Sequence, residues 1–126
     1  MKKKSDAFSA LTPQEARQAL YNAFSLCRKA GKLVMGYDAV VDAVMTGKAG
    51  RVFLAADVSP KTAERLRFAV EGLADVEPLP LTQDDLAPVS HKRVAVFAVA
   101  DANLARLCET KRKQCLDLDM KEEVSE

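Results

Sequence analysis

The chain has 126 residues, 48% of them apolar and 29% charged, with a formal net charge of +1. This is ordinary soluble-globular usage, with room for one domain and an aliphatic core that needs no disulfide or metal to hold it. The cysteines Cys27, Cys108 and Cys115 are odd in number and lack a CxxC pair, which argues against a disulfide framework or zinc site and for a reducing compartment.

The opening Met1-Lys2-Lys3-Lys4 has no apolar run behind it, so it does not read as a secretory leader. Residues 1–11 are expected to be a flexible basic segment. No stretch has the length of a membrane span, and the protein is expected in the cytoplasm, away from membranes. Thr12-Pro13-Gln14-Glu15 then gives a strong helix start: a capping hydroxyl, a proline at the first position and a glutamate placed for a capping box. Ala16, Leu20, Ala23, Phe24 and Cys27 recur at helical spacing behind it, and Gly31 ends the helix.

Leu33-Val34-Met35 reads as a short strand stopped by Gly36. Asp38 to Met45 reads as a helix, since Val40, Val41 and Val44 fall at helical rather than alternating spacing, and Gly47 closes it. Val52–Ala56 and Val94–Ala100 are apolar on both faces, so helices must cover both sides of the sheet they form. Between them, Ser59-Pro60 opens a helix with Ala63, Leu66, Val70 and Leu73 inward. Val76 to Leu79 is a weak strand, confined to an edge by Pro78 and Pro80. Thr82, with Asp85 three residues on, caps a brief turn through Leu86. Asp101 or Asn103 starts a last helix through Leu104, Leu107 and Cys108.

Alternation of this kind predicts an α/β fold: a three-layer αβα sandwich with a small four-stranded mixed sheet, spanning residues 12–110. Lys111-Arg112-Lys113 is followed by Asp117, Asp119, Glu122, Glu123 and Glu126, so residues 111–126 are expected to be a charged, disordered tail. Charge is uneven along the chain. Residues 1–51 hold nine basic and four acidic side chains, against ten and fourteen in residues 52–126. A basic half suits an anionic partner, although chance and an acidic tail would give the same split.

The residue pattern offers little chemistry. The single histidine, His91, lies beside Lys92 and Arg93 in a loop, with no serine or cysteine placed by sequence to work with it. Asp84 and Asp85 point in different directions from one helical turn, where first-turn acids already serve the helix. Cys27 and Cys108 read as core, and Cys115 as the reactive thiol of a tail. No glycine-rich phosphate loop is present, and no catalytic residue, metal site or cofactor is expected. One feature invites a function. Arg28-Lys29-Ala30-Gly31-Lys32 precedes Gly36-Tyr37-Asp38, and a helix N-terminus flanked by cations suits phosphate, although basic residues at a helix C-terminus also complement its dipole.

Leu26-Cys27-Arg28-Lys29-Ala30-Gly31-Lys32-Leu33-Val34-Met35-Gly36 resembles the "LARRAGKLVSG" opening of bacterial YlxQ-type proteins, in the kink-turn-binding ribosomal group of L-seven-Ae and L-thirty-e. Gly47-Lys48-Ala49 with Val52 through Pro60 is similar to that family's "GKAKLVLLAEDASP", and Val94–Asp101 resembles its closing strand. The resemblance implies the αβα fold, no catalytic role, and recognition of structured or ribosomal RNA through its shape and exposed base edges. It implies contact through the start of the second helix (Gly36, Tyr37, Asp38, Ala39, Asp42) and through the loop before the last strand (His91, Lys92, Arg93); the basic residues Arg28, Lys29, Lys32, Lys92 and Arg93 are expected on phosphates. The family's strong binders carry "G-x-N-E-x-x-K" on that helix. Here Asp38, Ala39 and Asp42 replace the asparagine, glutamate and lysine. Two readings follow: an RNA-binding protein, or a protein–protein adaptor that keeps the fold and has lost kink-turn affinity.

Overall fold

The computed structural model describes the backbone of residues 11–124 and the side chains of residues 11–118. The expected flexible basic segment therefore lies outside the described residues, except for Leu11, which packs against the core. Helix α1 (Pro13–Lys29) begins with the anticipated capping box: Thr12 Oγ1 accepts from Glu15 N at 3.1 Å, and Glu15 Oε1 accepts from Thr12 N at 3.0 Å. Two otherwise orphaned donors are thereby satisfied. The buried stripe is the five residues the spacing gave.

Strand β1 (Leu33–Met35) and helix α2 (Tyr37–Met45) follow, then β2 (Arg51–Leu54), α3 (Pro60–Ala69), β3 (Asp75–Pro78), α4 (Gln83–Ser90), β4 (Val96–Val99) and α5 (Ala102–Val124). The sheet order is β1-β4-β2-β3. β4 is antiparallel to both β1 and β2, whereas β2 and β3 are parallel, so the sheet is mixed. The two doubly apolar runs hold the centre, and Phe53 pairs with Phe97 across it. Helices α1, α4 and α5 cover one face, where Phe24 meets Phe53 edge-on with ring centroids 5.4 Å apart. Helices α2 and α3 cover the other, against Val52, Leu54, Val96 and Ala98.

Four expectations need correction. Helix α3 stops at Ala69, so Leu73 leaves the inward stripe and is 55% exposed. Helix α4 does not stop at Leu86 but runs to Ser90 through Pro88, because Leu86 and Val89 both bury and draw the second turn onto the core. The segment before β4 is correspondingly short.

The remaining two corrections concern the C-terminal region. The chain does not become a disordered tail at Lys111, since α5 continues to Val124. Ala105, Cys108, Arg112 and Cys115 recur three and four residues apart and are all buried, with Leu118 packed on the same cluster. Arg112 fits this stripe because Glu109 clamps it through Nε at 2.8 Å and Nη2 at 2.9 Å, and Glu77 adds a third contact at 3.2 Å. Cys115, at 1% exposure, is a core side chain and not an accessible thiol. Cys27 and Cys108 are core as expected, with their sulfurs 3.6 Å apart.

Candidate nucleic-acid interface

The start of α2 is built from a glycine. Gly36 sits at φ +99°, a region that side chains rarely enter, and turns the chain from β1 straight into the helix. Its N–H donates to Val96 O at 2.9 Å, which fixes the helix N-terminus against the first residue of β4. No side chain caps this end. The first-turn N–H groups and the positive end of the helix dipole are therefore open to an anion.

The segment leading to β4 is placed beside it. Arg28, near the end of α1, donates from Nη1 to Val89 O at 2.8 Å and lies 3.7 Å from Met35 Sδ. One guanidinium thus ties the end of α1, the end of β1 and the end of α4 together. The chain then reverses at His91, whose φ of +66° is unusual for a residue with a Cβ. The Ser90 hydroxyl holds this reversal, lying between Leu86 O and Lys92 O.

Of the eleven sequence-predicted residues, Gly36, Tyr37, Asp38, Ala39, Arg28, His91, Lys92 and Arg93 fall around this one corner, with Asp42 a turn further along α2. Lys32 does not join them. Its carbonyl accepts from Ala100 N at 2.8 Å, which anchors it at the far end of β4. Four strand steps, about 13 Å, separate it from Gly36. Lys29 is exposed at the end of α1.

The cations at the corner differ in availability. Arg28 is half-buried and spent on a carbonyl. Arg93 pairs with Asp84 and lies 3.6 Å from Asp57. The Gln83 backbone N–H at 2.9 Å, assisted by Arg93, holds the Asp57 carboxyl below the usual range. Lys92 is exposed and, among the described residues, in no ion pair. Asp38 and Asp42 are both exposed, one turn apart on the same face of α2.

The sequence matches the Ribosomal protein L7Ae/L30e/S12e/Gadd45 family over residues 18–125. The chain belongs to that family. The match runs from within α1 through the four strands to the end of α5. Two of the solved structures that share the fold illustrate the likeness. One is a protein of unknown function from Bacillus halodurans C, with a TM-score of 0.68 and 23% identity, covering 75% of this chain and 96% of that one. The other is the Giardia lamblia 15.5kD RNA binding protein, with a TM-score of 0.63 and 18% identity, covering 82% and 90%. No curated protein is significantly similar to the chain in sequence.

For an L7Ae/L30e-type chain, one participant in this corner escaped sequence reading. Arg65, on α3, stacks its guanidinium 4.9 Å from the centre of the Tyr37 ring, and the Tyr37 hydroxyl donates to Arg65 O at 3.3 Å. This holds a cation beside the open N-terminus of α2. Nothing in the spacing of an exposed arginine on α3 signals that pairing, which exists only once α2 and α3 share a sheet face. Among the described residues no group of three His, Cys, Asp or Glu side chains could hold a metal ion, and no helix is long and apolar enough to cross a membrane.

Proposed function

We propose that this protein is a non-catalytic RNA-binding protein of the ribosomal kink-turn-binding type, working in the cytoplasm on structured or ribosomal RNA. The observation that carries the reading is the uncapped α2 N-terminus held against the start of β4, with Gly36 bonded to Val96 and the His91–Arg93 reversal beside it. These are the two segments through which the family resemblance implies RNA contact. Lys92 and Arg65 supply charge for phosphates, and the open N–H groups of α2 supply directed donors. The RNA-binding fold relative from Giardia lamblia and the family match support the same reading.

Recognition here rests on backbone and shape more than on kink-turn base edges. Asp38 and Asp42 put two carboxylates on the face where the family's strong binders offer an amide and a cation, and Asp38 itself answers the helix dipole. The same two carboxylates, with Arg93 already neutralised by Asp84 and Asp57, favour a second reading: a protein–protein adaptor that keeps the fold without the kink-turn affinity.

The protein purified at low salt is expected to retain cellular RNA, visible as a raised 260/280 nm absorbance ratio that ribonuclease abolishes and about 1 M salt strips away. A ratio typical of bare protein at low salt, unchanged by ribonuclease, would favour the adaptor.

A further inference from the structure

At the opposite end of the sheet from the α2 N-terminus lies an open cleft of about 510 Å³. It runs between the turn after α2, the first residue of β2 and the first turns of α5. Four cations line it, Lys48, Arg51, Arg106 and Lys113, against one carboxylate, Glu109. That carboxylate is shared among several cations, with Arg51 3.9 Å from its Oε1. Glu109 is gripped at both oxygens by Arg112, which holds its carboxyl below the usual range. Arg51 is likewise committed, with Glu77 at 3.2 Å and Asp75 at 3.6 Å. Lys48, Arg106 and Lys113 remain exposed, and among the described residues none of the three is in an ion pair. Three unpaired cations converge on one concavity from two separate elements, the α2–β2 turn and α5. Self-repulsion of this kind is relieved by an anion carrying several charges.

We infer that this cleft is a second phosphate-binding site, which grips the RNA backbone at the far end of α2 from the corner described above. The inference rests on the RNA-binding reading and extends it. Helix α2 has nine residues, so its axis sets the two sites about 14 Å apart. An RNA backbone bridging the two ends of α2, without running over Asp38 and Asp42 between them, would meet Lys92 and Arg65 at one end and Lys48 at the other. Lys32, anchored beside Ala100, stands at the cleft's end of β4 and not at the corner.

The test uses full-length protein, a fluorescein-labelled kink-turn stem-loop and titrations at several salt concentrations. The cleft variant carries Lys48→Gln, Arg106→Gln and Lys113→Gln; the corner variant carries Arg65→Gln and Lys92→Gln. All five side chains are exposed, so both variants should fold, which circular dichroism checks. The cleft variant is expected to bind about tenfold or more weakly at low salt, with the salt slope reduced by about 2–3. An unchanged slope with weakened binding by the corner variant would overturn the cleft and leave the RNA-binding reading standing. Weakening by the cleft variant alone would uphold the cleft and move the RNA site away from the corner. No RNA binding by the wild type would overturn both. A parallel arm adds inorganic tripolyphosphate and follows amide shifts at Gly47 and Lys48. Shifts there with an unchanged RNA slope would assign the cleft to free phosphates and overturn its place in RNA binding.

Discussion

Asp38 and Asp42 are ordinary helix-surface residues in structural terms, exposed, a turn apart and outside any ion pair among the described residues. Their consequence is chemical. An ionised aspartate only accepts hydrogen bonds, whereas an asparagine amide both donates and accepts at a base edge. Ala39 between them reaches nothing. Because the α2 backbone, its Gly36 start and its bond to Val96 do not depend on these side chains, they can be exchanged without disturbing the scaffold. The triple change Asp38→Asn, Ala39→Glu and Asp42→Lys is therefore expected to raise kink-turn affinity at least about tenfold, each well-placed base contact being worth about 1–3 kcal/mol. The part due to Asp42→Lys should shrink most as salt is added. Titration of a standard kink-turn RNA at two salt concentrations reads this directly. A folded triple variant with unaltered affinity would mean that the surface has diverged beyond these positions.

Helix α5 is where sequence and structure part most clearly. Its first half was legible because Leu104, Leu107 and Cys108 are apolar, and Asp101 caps it, accepting from Leu104 N at 2.9 Å. Its second half was not. Arg112 occupies a buried place in the stripe and makes the segment look polar, while the partners that permit it there, Glu109 and Glu77, are recognisable only in three dimensions. The spacing from Cys108 to Cys115 to Leu118 was the available signal, obscured by the run of acids that follows in the sequence. Removing the residues after Gln114 should accordingly destabilise the protein by about 2–3 kcal/mol, through the lost burial of Cys115 and part of Leu118. That corresponds to a fall of about 5–12 °C in thermal midpoint. A midpoint within a degree of the full-length protein would show that this half of α5 contributes nothing to the fold.

For the molecule as a whole, the layer order followed from the chain because the strongest signals were local and agreed with one another. Capping boxes at Thr12 and Thr82, proline at the start of α1 and α3, and two strands apolar on both faces left few alternatives to a sheet covered on each side. The candidate site was legible only as a set of chain segments. Which cations stay available depends on contacts across the fold: Arg28 to Val89, Arg93 to Asp84 and Asp57, and Arg65 over Tyr37. We propose a family scaffold that holds RNA by charge and open helix N–H groups, with other side chains at the α2 positions where the family's strong binders carry asparagine, glutamate and lysine. The measurement that bears on it most directly is titration of the wild-type protein with a kink-turn RNA and with a version whose tandem G·A pairs are replaced by Watson–Crick pairs. Binding to both, steeply weakened by salt and differing by less than about tenfold (about 1.4 kcal/mol), is the predicted result. Strong preference for the kinked RNA would show that Asp38, Ala39 and Asp42 form a competent recognition surface, and absence of binding to either at low salt would contradict the RNA-binding account outright.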